Sequence, residues 1–103
     1  MSQKKTTTSP VARRLKQARQ QQGLSQKSLG IKAGIDEFSS SARINQYERE
    51  KHVPDYQTAQ RLANALKVPV TYLYTDDEAL ATLVLLFSQA SQDKKRKILQ
   101  LLK

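Results

Sequence analysis

Cysteine and tryptophan are absent from the 103 residues, and histidine occurs once. Without cysteine there are no disulfides, thiolate nucleophiles or thiolate metal ligands, which suits a reducing compartment; a cytoplasmic location is the expectation. The lone histidine, His52, has no neighbouring cluster of ligand residues, so no metal site is expected. Glycine is scarce at three residues and forms no phosphate-cradling loop. The few acidic residues are scattered, and no nucleophile has a histidine at a recognisable spacing, so neither catalysis nor a cofactor is expected. The longest apolar stretch, Ala79 to Phe87, falls well short of the roughly 20 residues a membrane helix needs. The N-terminus has no secretory apolar core, and no membrane partner is expected.

What is scarcest is negative charge. Nine Asp and Glu stand against 18 Lys and Arg, for a formal net charge of +9 and a pI near 10.0. No acidic residue precedes Asp36, whereas Lys4, Lys5, Arg13, Arg14, Lys16, Arg19, Lys27 and Lys32 all lie before it. One end of the molecule is therefore expected to be strongly positive and to meet an anionic partner. Nucleic acid, an anionic membrane surface and an acidic protein all fit that field, so geometry must choose among them.

The hydrophobic pattern is helical throughout, and an all-α fold is expected. Residues 1–8 are polar and read as a flexible basic arm. Ser9 and Pro10 start a helix that carries Val11, Leu15 and Ala18 on one side and stops at Gly23. Ser25 caps a second, short helix with Leu29 and Ala33 inward, ended by Gly34. A third fits about Ser40 to Arg49, with Ser40, Ile44 and Tyr47 on one side. Asp55 caps a fourth with an inward stripe of Ala59, Leu62, Ala63 and Leu66. Pro69 opens a brief helical turn, Thr75 and Glu78 have capping-box spacing for a helix over about 76–89, and Ser91 caps a last helix over 92–102.

Two helices joined by a turn can lay the second in a DNA major groove when they pack closely on apolar inner positions. Leu29, Gly30, Gly34, Ile35, Ile44 and Tyr47 supply that set. Across LKQARQQQGLSQKSLGIKAGI, RINQYEREKHVPD and AQRLANALKVPVTYLY, from about Leu15 to Tyr74, the sequence resembles the Cro/repressor-type (XRE) helix-turn-helix family. The resemblance implies a compact five-helix repressor-like domain that binds double-stranded DNA, with Ser41, Ala42 and Gln46 at base-reading positions. It also implies an ion pair between Arg19 and Glu48 that locks the first helix to the third. Two departures stand out. Residues 35–40 read as a turn about four residues longer than the family's, with Phe38 expected to plug it onto the core. Glu50 occupies a helix exit where the family commonly has glycine.

Residue chemistry points the same way. At about 100° per residue, Ser40, Tyr47 and Glu48 face inward, and Ala42, Arg43, Asn45, Gln46 and Arg49 face outward. Asn45 and Gln46 suit adenine, Arg43 guanine, and Ala42 a thymine methyl. Phosphate contacts are expected from Ser25, Gln26 and Lys27 at the start of the second helix, and from Arg49, Lys51 and His52 beyond the third.

Three segments follow: the arm 1–8, a DNA-binding domain 9–75, and a helical extension 76–103. The extension has more apolar surface than a small core absorbs, and Leu80, Leu83, Val84, Phe87, Ile98 and Leu102 are expected to dimerise. The reading is a transcriptional repressor acting as a homodimer on a roughly palindromic operator. An antitoxin that holds a toxin through this extension, or a protein-interaction adaptor, are the alternatives.

Overall fold

Capping side chains set where the helices of the computed structural model begin; it describes residues 9–103, and the arm expected over 1–8 lies outside them. Ser9 Oγ accepts from the Val11 amide at 3.2 Å, and the Pro10 carbonyl already accepts from Arg14 N at 2.9 Å. This starts α1, Val11–Gln21. Ser25 Oγ accepts from Ser28 N at 2.9 Å to start α2, Gln26–Lys32. Asp55 does the same for α4, Tyr56–Leu66, and Ser91 for α7, Gln92–Leu102. The short α5 spans Val70–Leu73.

Two expected starts are corrected. Helix α3 runs Glu37–Glu48, because the Asp36 carboxylate accepts the Phe38 amide at 3.0 Å and caps it there. The turn between α2 and α3 is therefore short, and the extra residues add a first turn to α3 instead of lengthening the loop. Helix α6, Glu78–Gln89, is capped by Asp77, whose carboxylate accepts from Leu80 N at 2.8 Å. Thr75 is not the cap: its hydroxyl donates to the Thr71 carbonyl at 2.7 Å.

Leu15, Leu29, Ile44, Leu62, Leu66 and Leu73, drawn from α1 to α5, are fully buried and form one core with Ala18, Ala59, Ala63, Tyr47 and Tyr72. Each such Leu or Ile contributes about 1.5–3 kcal/mol relative to exposure. Helix α6 closes the core with buried Ala81 and partly buried Val84 and Leu85, whereas α7 buries no residue. Among the described residues all elements are helices.

Helices α2 and α3 approach so closely that a Cβ on Gly30 would lie 2.6 Å from Ser40 Cβ. The buried Ser40 hydroxyl has the carbonyls of Ile35 and Asp36 as acceptors at 3.0 and 2.8 Å. A small residue and a self-satisfied small polar residue thus let the two helices nest without an orphaned donor.

Arg14 was counted in the positive end of the sequence, but its side chain is 1% exposed. Its Nε donates to the Thr75 carbonyl at 2.7 Å and its Nη2 to the Asp76 carbonyl at 2.8 Å. Nη1 reaches Gln17 Oε1 and Glu78 Oε1 at 2.9 and 3.1 Å, and the guanidinium lies 5.5 Å from the Tyr72 ring centre. Arg13 joins it by donating to Asp76 Oδ1 at 2.9 Å. These contacts fasten the start of α6 to α1, take Arg14 out of the positive surface and pair the exposed Arg13 with a carboxylate.

Candidate nucleic-acid interface

The orientation of α3 is set from beneath. Arg19 of α1 grips Glu48 with two hydrogen bonds, Nε to Oε2 at 2.6 Å and Nη2 to Oε1 at 3.1 Å, while its Nη1 donates to the Leu24 carbonyl at 2.9 Å. The two side chains are 14% and 3% exposed, so this is a desolvated fork-to-fork pair and not a surface one. Ile44 and Tyr47 bury the same side of the helix.

Opposite that side, Ser41, Ala42, Arg43 and Arg49 are exposed, and Asn45 and Gln46 are half-buried. Asn45 is not free: Gln26 Nε2 donates to its Oδ1 at 3.2 Å. The same Gln26 nitrogen donates to Glu48 Oε1 at 3.1 Å. This corrects the outward placement of Gln26. Both side-chain N–H bonds are engaged with α3, so a phosphate contact by Gln26 falls to its backbone amide at the first position of α2. Its side chain braces α3, and the contact occupies one lone pair of Asn45 Oδ1.

Ser25 and Lys27 are exposed at the start of α2, with Lys27 Nζ 3.8 Å from Glu37 Oε2. At the other end of α3, the Gln46 carbonyl accepts from Lys51 N at 2.9 Å and His52 N at 3.3 Å, holding both residues beside the helix exit. Glu50 takes the left-handed position there, with φ 63°, and its own amide bonds the Tyr47 carbonyl at 3.2 Å. The exit has the geometry that favours glycine and is occupied by a residue with a Cβ. Arg49, Lys51 and His52 are all exposed around it.

Phe38 does not plug the turn: it is 95% exposed. Because α3 starts at Glu37, Phe38 sits on helix and its ring points to solvent. Its spacing of four from Ala42 was the available signal that it belongs with the outward face. The Arg14 clamp had no such signal, since its main partners are backbone carbonyls.

At the far end of the molecule, α6 and α7 enclose an apolar groove of about 360 Å³. Leu83, Val84, Phe87, Ile98 and Leu102 line it together with Leu99, Pro69 and Thr71, whereas Leu80 is exposed outside it. Lys95 Nζ lies 5.6 Å from the Phe87 ring centre at its edge. Among the described residues no group of three or more His, Cys, Asp or Glu could hold a metal ion, and no helix is long and apolar enough to cross a membrane.

The helix-turn-helix family matches residues 15–73, which run from within α1 to the end of α5. A crystal structure described as that of the transcriptional regulator BswR is similar over 88% of this chain and 90% of its own, with 46% sequence identity and a TM-score of 0.84. That coverage exceeds the stretch matched by the family and reaches α6. No curated protein matches the chain. The match over 15–73 and the whole-length likeness agree with the buried Arg19–Glu48 lock and the exposed α3: the chain belongs to the XRE-type helix-turn-helix family.

Proposed function

We propose that the protein is a sequence-specific DNA-binding transcription regulator, acting as a repressor and as a homodimer. The observation that carries this is α3 itself: a surface helix whose inward side is locked by Arg19, Glu48 and Ile44 while Ser41, Ala42, Arg43 and Gln46 look outward. A fixed helix with Arg, Gln and small residues outward is what major-groove readout requires. Arg43 and Gln46 are assigned to base edges, and Ser25, Lys27, Arg49, Lys51 and His52 to phosphates. The description of the similar BswR structure as a transcriptional regulator supports the regulatory reading.

Homodimerisation is assigned to the α6–α7 groove. Leu83, Leu86, Leu99 and Leu102 remain between 44 and 68% exposed in the single chain, an apolar area that a second copy would cover. The same groove would serve a different protein as partner, which is the second reading; a monomeric mass for the purified protein selects it.

Selection of random duplex DNA by the purified protein, followed by affinity measurements across salt, tests the main reading. A roughly palindromic motif is expected, with log affinity falling by about 0.9 per phosphate contact for each tenfold rise in salt. Absence of an enriched motif overturns it. Within a found motif, Gln46→Ala should relax one base position, whereas Lys51→Ala should weaken all sequences alike.

A further inference from the structure

Phe38 is the most exposed large apolar side chain of the described residues. The other large apolar side chains of its helix, Ile44 and Tyr47, are buried. At about 100° per residue, Asn45 and Arg49 fall roughly 20° to either side of Phe38 around α3, with Ala42 about 40° away. The ring therefore continues the outward stripe by one turn toward the N-terminus, some 6 Å beyond Ala42. The residues beside it bear on what it can meet. Asp36 is occupied by the Phe38 amide at 3.0 Å, and Glu37 lies 3.8 Å from Lys27 Nζ. Two carboxylates flanking an aromatic repel phosphates, and a phenyl ring has no donor for them. Of the groups a major groove presents, the thymine 5-methyl is the one such a ring can bury.

We propose that Phe38 is a specificity-determining residue that packs on a thymine methyl in each half-site, extending the sequence read by α3 beyond Ala42. This rests on the assignment of α3 as the reading helix. It explains why the extra turn of α3 ends in a bare aromatic: the ring is left unburied by folding and is covered on binding.

The test starts from the motif selected by the unaltered protein and replaces each of its thymines in turn by uracil, which removes only the methyl group. One replacement should lower affinity about fourfold, the effect of one buried methyl-sized group. The same replacement should leave the affinity of Phe38→Ala unchanged. Phe38→Ala should melt at the same temperature as the parent and keep its salt dependence, because the ring supports neither the core nor a phosphate contact. Equal losses in both proteins at every thymine replaced, or Phe38→Ala binding every site as tightly as the parent, overturns the proposal while leaving DNA reading intact; an equal loss at a thymine read by Ala42 is expected. Failure of the parent to select any motif overturns both.

Discussion

Glu48 shows how much a single side chain can hold. It accepts from Arg19 and Gln26 and is nearly inaccessible, so Glu48→Ala leaves the Arg19 guanidinium desolvated without its counter-charge. The expected loss is about 3–5 kcal/mol in urea unfolding, whereas a loss below about 1 kcal/mol would mean the pair behaves as an exposed one. Glu50 is the opposite case. Its left-handed backbone at φ 63° carries a Cβ penalty that glycine lacks; Glu50→Gly should therefore raise stability by about 1 kcal/mol, read as a higher urea midpoint at unchanged slope. The strained exit at Glu50 could be anticipated because the resemblance to the family places glycine there. Arg14 could not: in a run of basic residues its charge reads as surface field, and the Thr75 and Asp76 carbonyls that take it inside leave no mark in a sequence.

Among the elements, the helices with a polar cap followed by a clean apolar stripe were legible, as α2, α4 and α7 illustrate. Helix α3 was legible only from Ser40 onward. Its first turn contains Glu37, Phe38 and Ser39, a composition that reads as loop, and the cap bond from Asp36 outweighs that local preference. Helix α6 was displaced for a similar reason: both Thr75 and Asp77 can cap, and Glu78, the partner a capping box needs, is drawn to Arg14. At α4 the cap has a pH signature. The Thr58 backbone amide, then its side chain, hold the Asp55 carboxyl below its ordinary pKa, with a smaller contribution in the same direction from Arg61. Lowered in the folded state, this group stabilises above the ordinary carboxylate range, near 3.9, and the contribution disappears as pH falls through the folded value. Asp55→Ala should thus lower the melting temperature at pH 7, and the gap to the parent should narrow as the carboxyl is protonated in acid. A difference that persists undiminished in acid would separate α4 stability from the carboxylate.

For the whole molecule, the all-helical class and the helix order were readable from periodicity and punctuation alone, whereas the distribution of charge was not. Arg13, Arg14 and Arg19 all bond acidic side chains, so the field that would meet DNA is weaker at α1 than the net charge of +9 suggests and depends more on Arg43, Arg49 and Lys51. The division at residue 75 also reads differently in three dimensions: α6 contributes Ala81 to the core, and α7 alone stands clear of it. Charging the groove separates self-association from folding. Leu99→Glu together with Leu102→Glu should halve the mass seen by sedimentation while preserving the melting transition, since neither side chain is buried. A mass unchanged by the pair would exclude the groove as the dimer contact.

The Arg14 clamp gives the junction between α1 and α6 the character of a welded joint instead of a hinge. In a dimer joined through α6 and α7, the gap between the two reading helices is then a fixed calliper setting. One base pair inserted at the centre of the operator shifts one half-site by about 3.4 Å and turns it by roughly a tenth of a DNA turn, and a stiff calliper cannot follow. Such an operator should lose nearly all the benefit of its second half-site, and Arg14→Gln, by loosening the joint, should restore part of it.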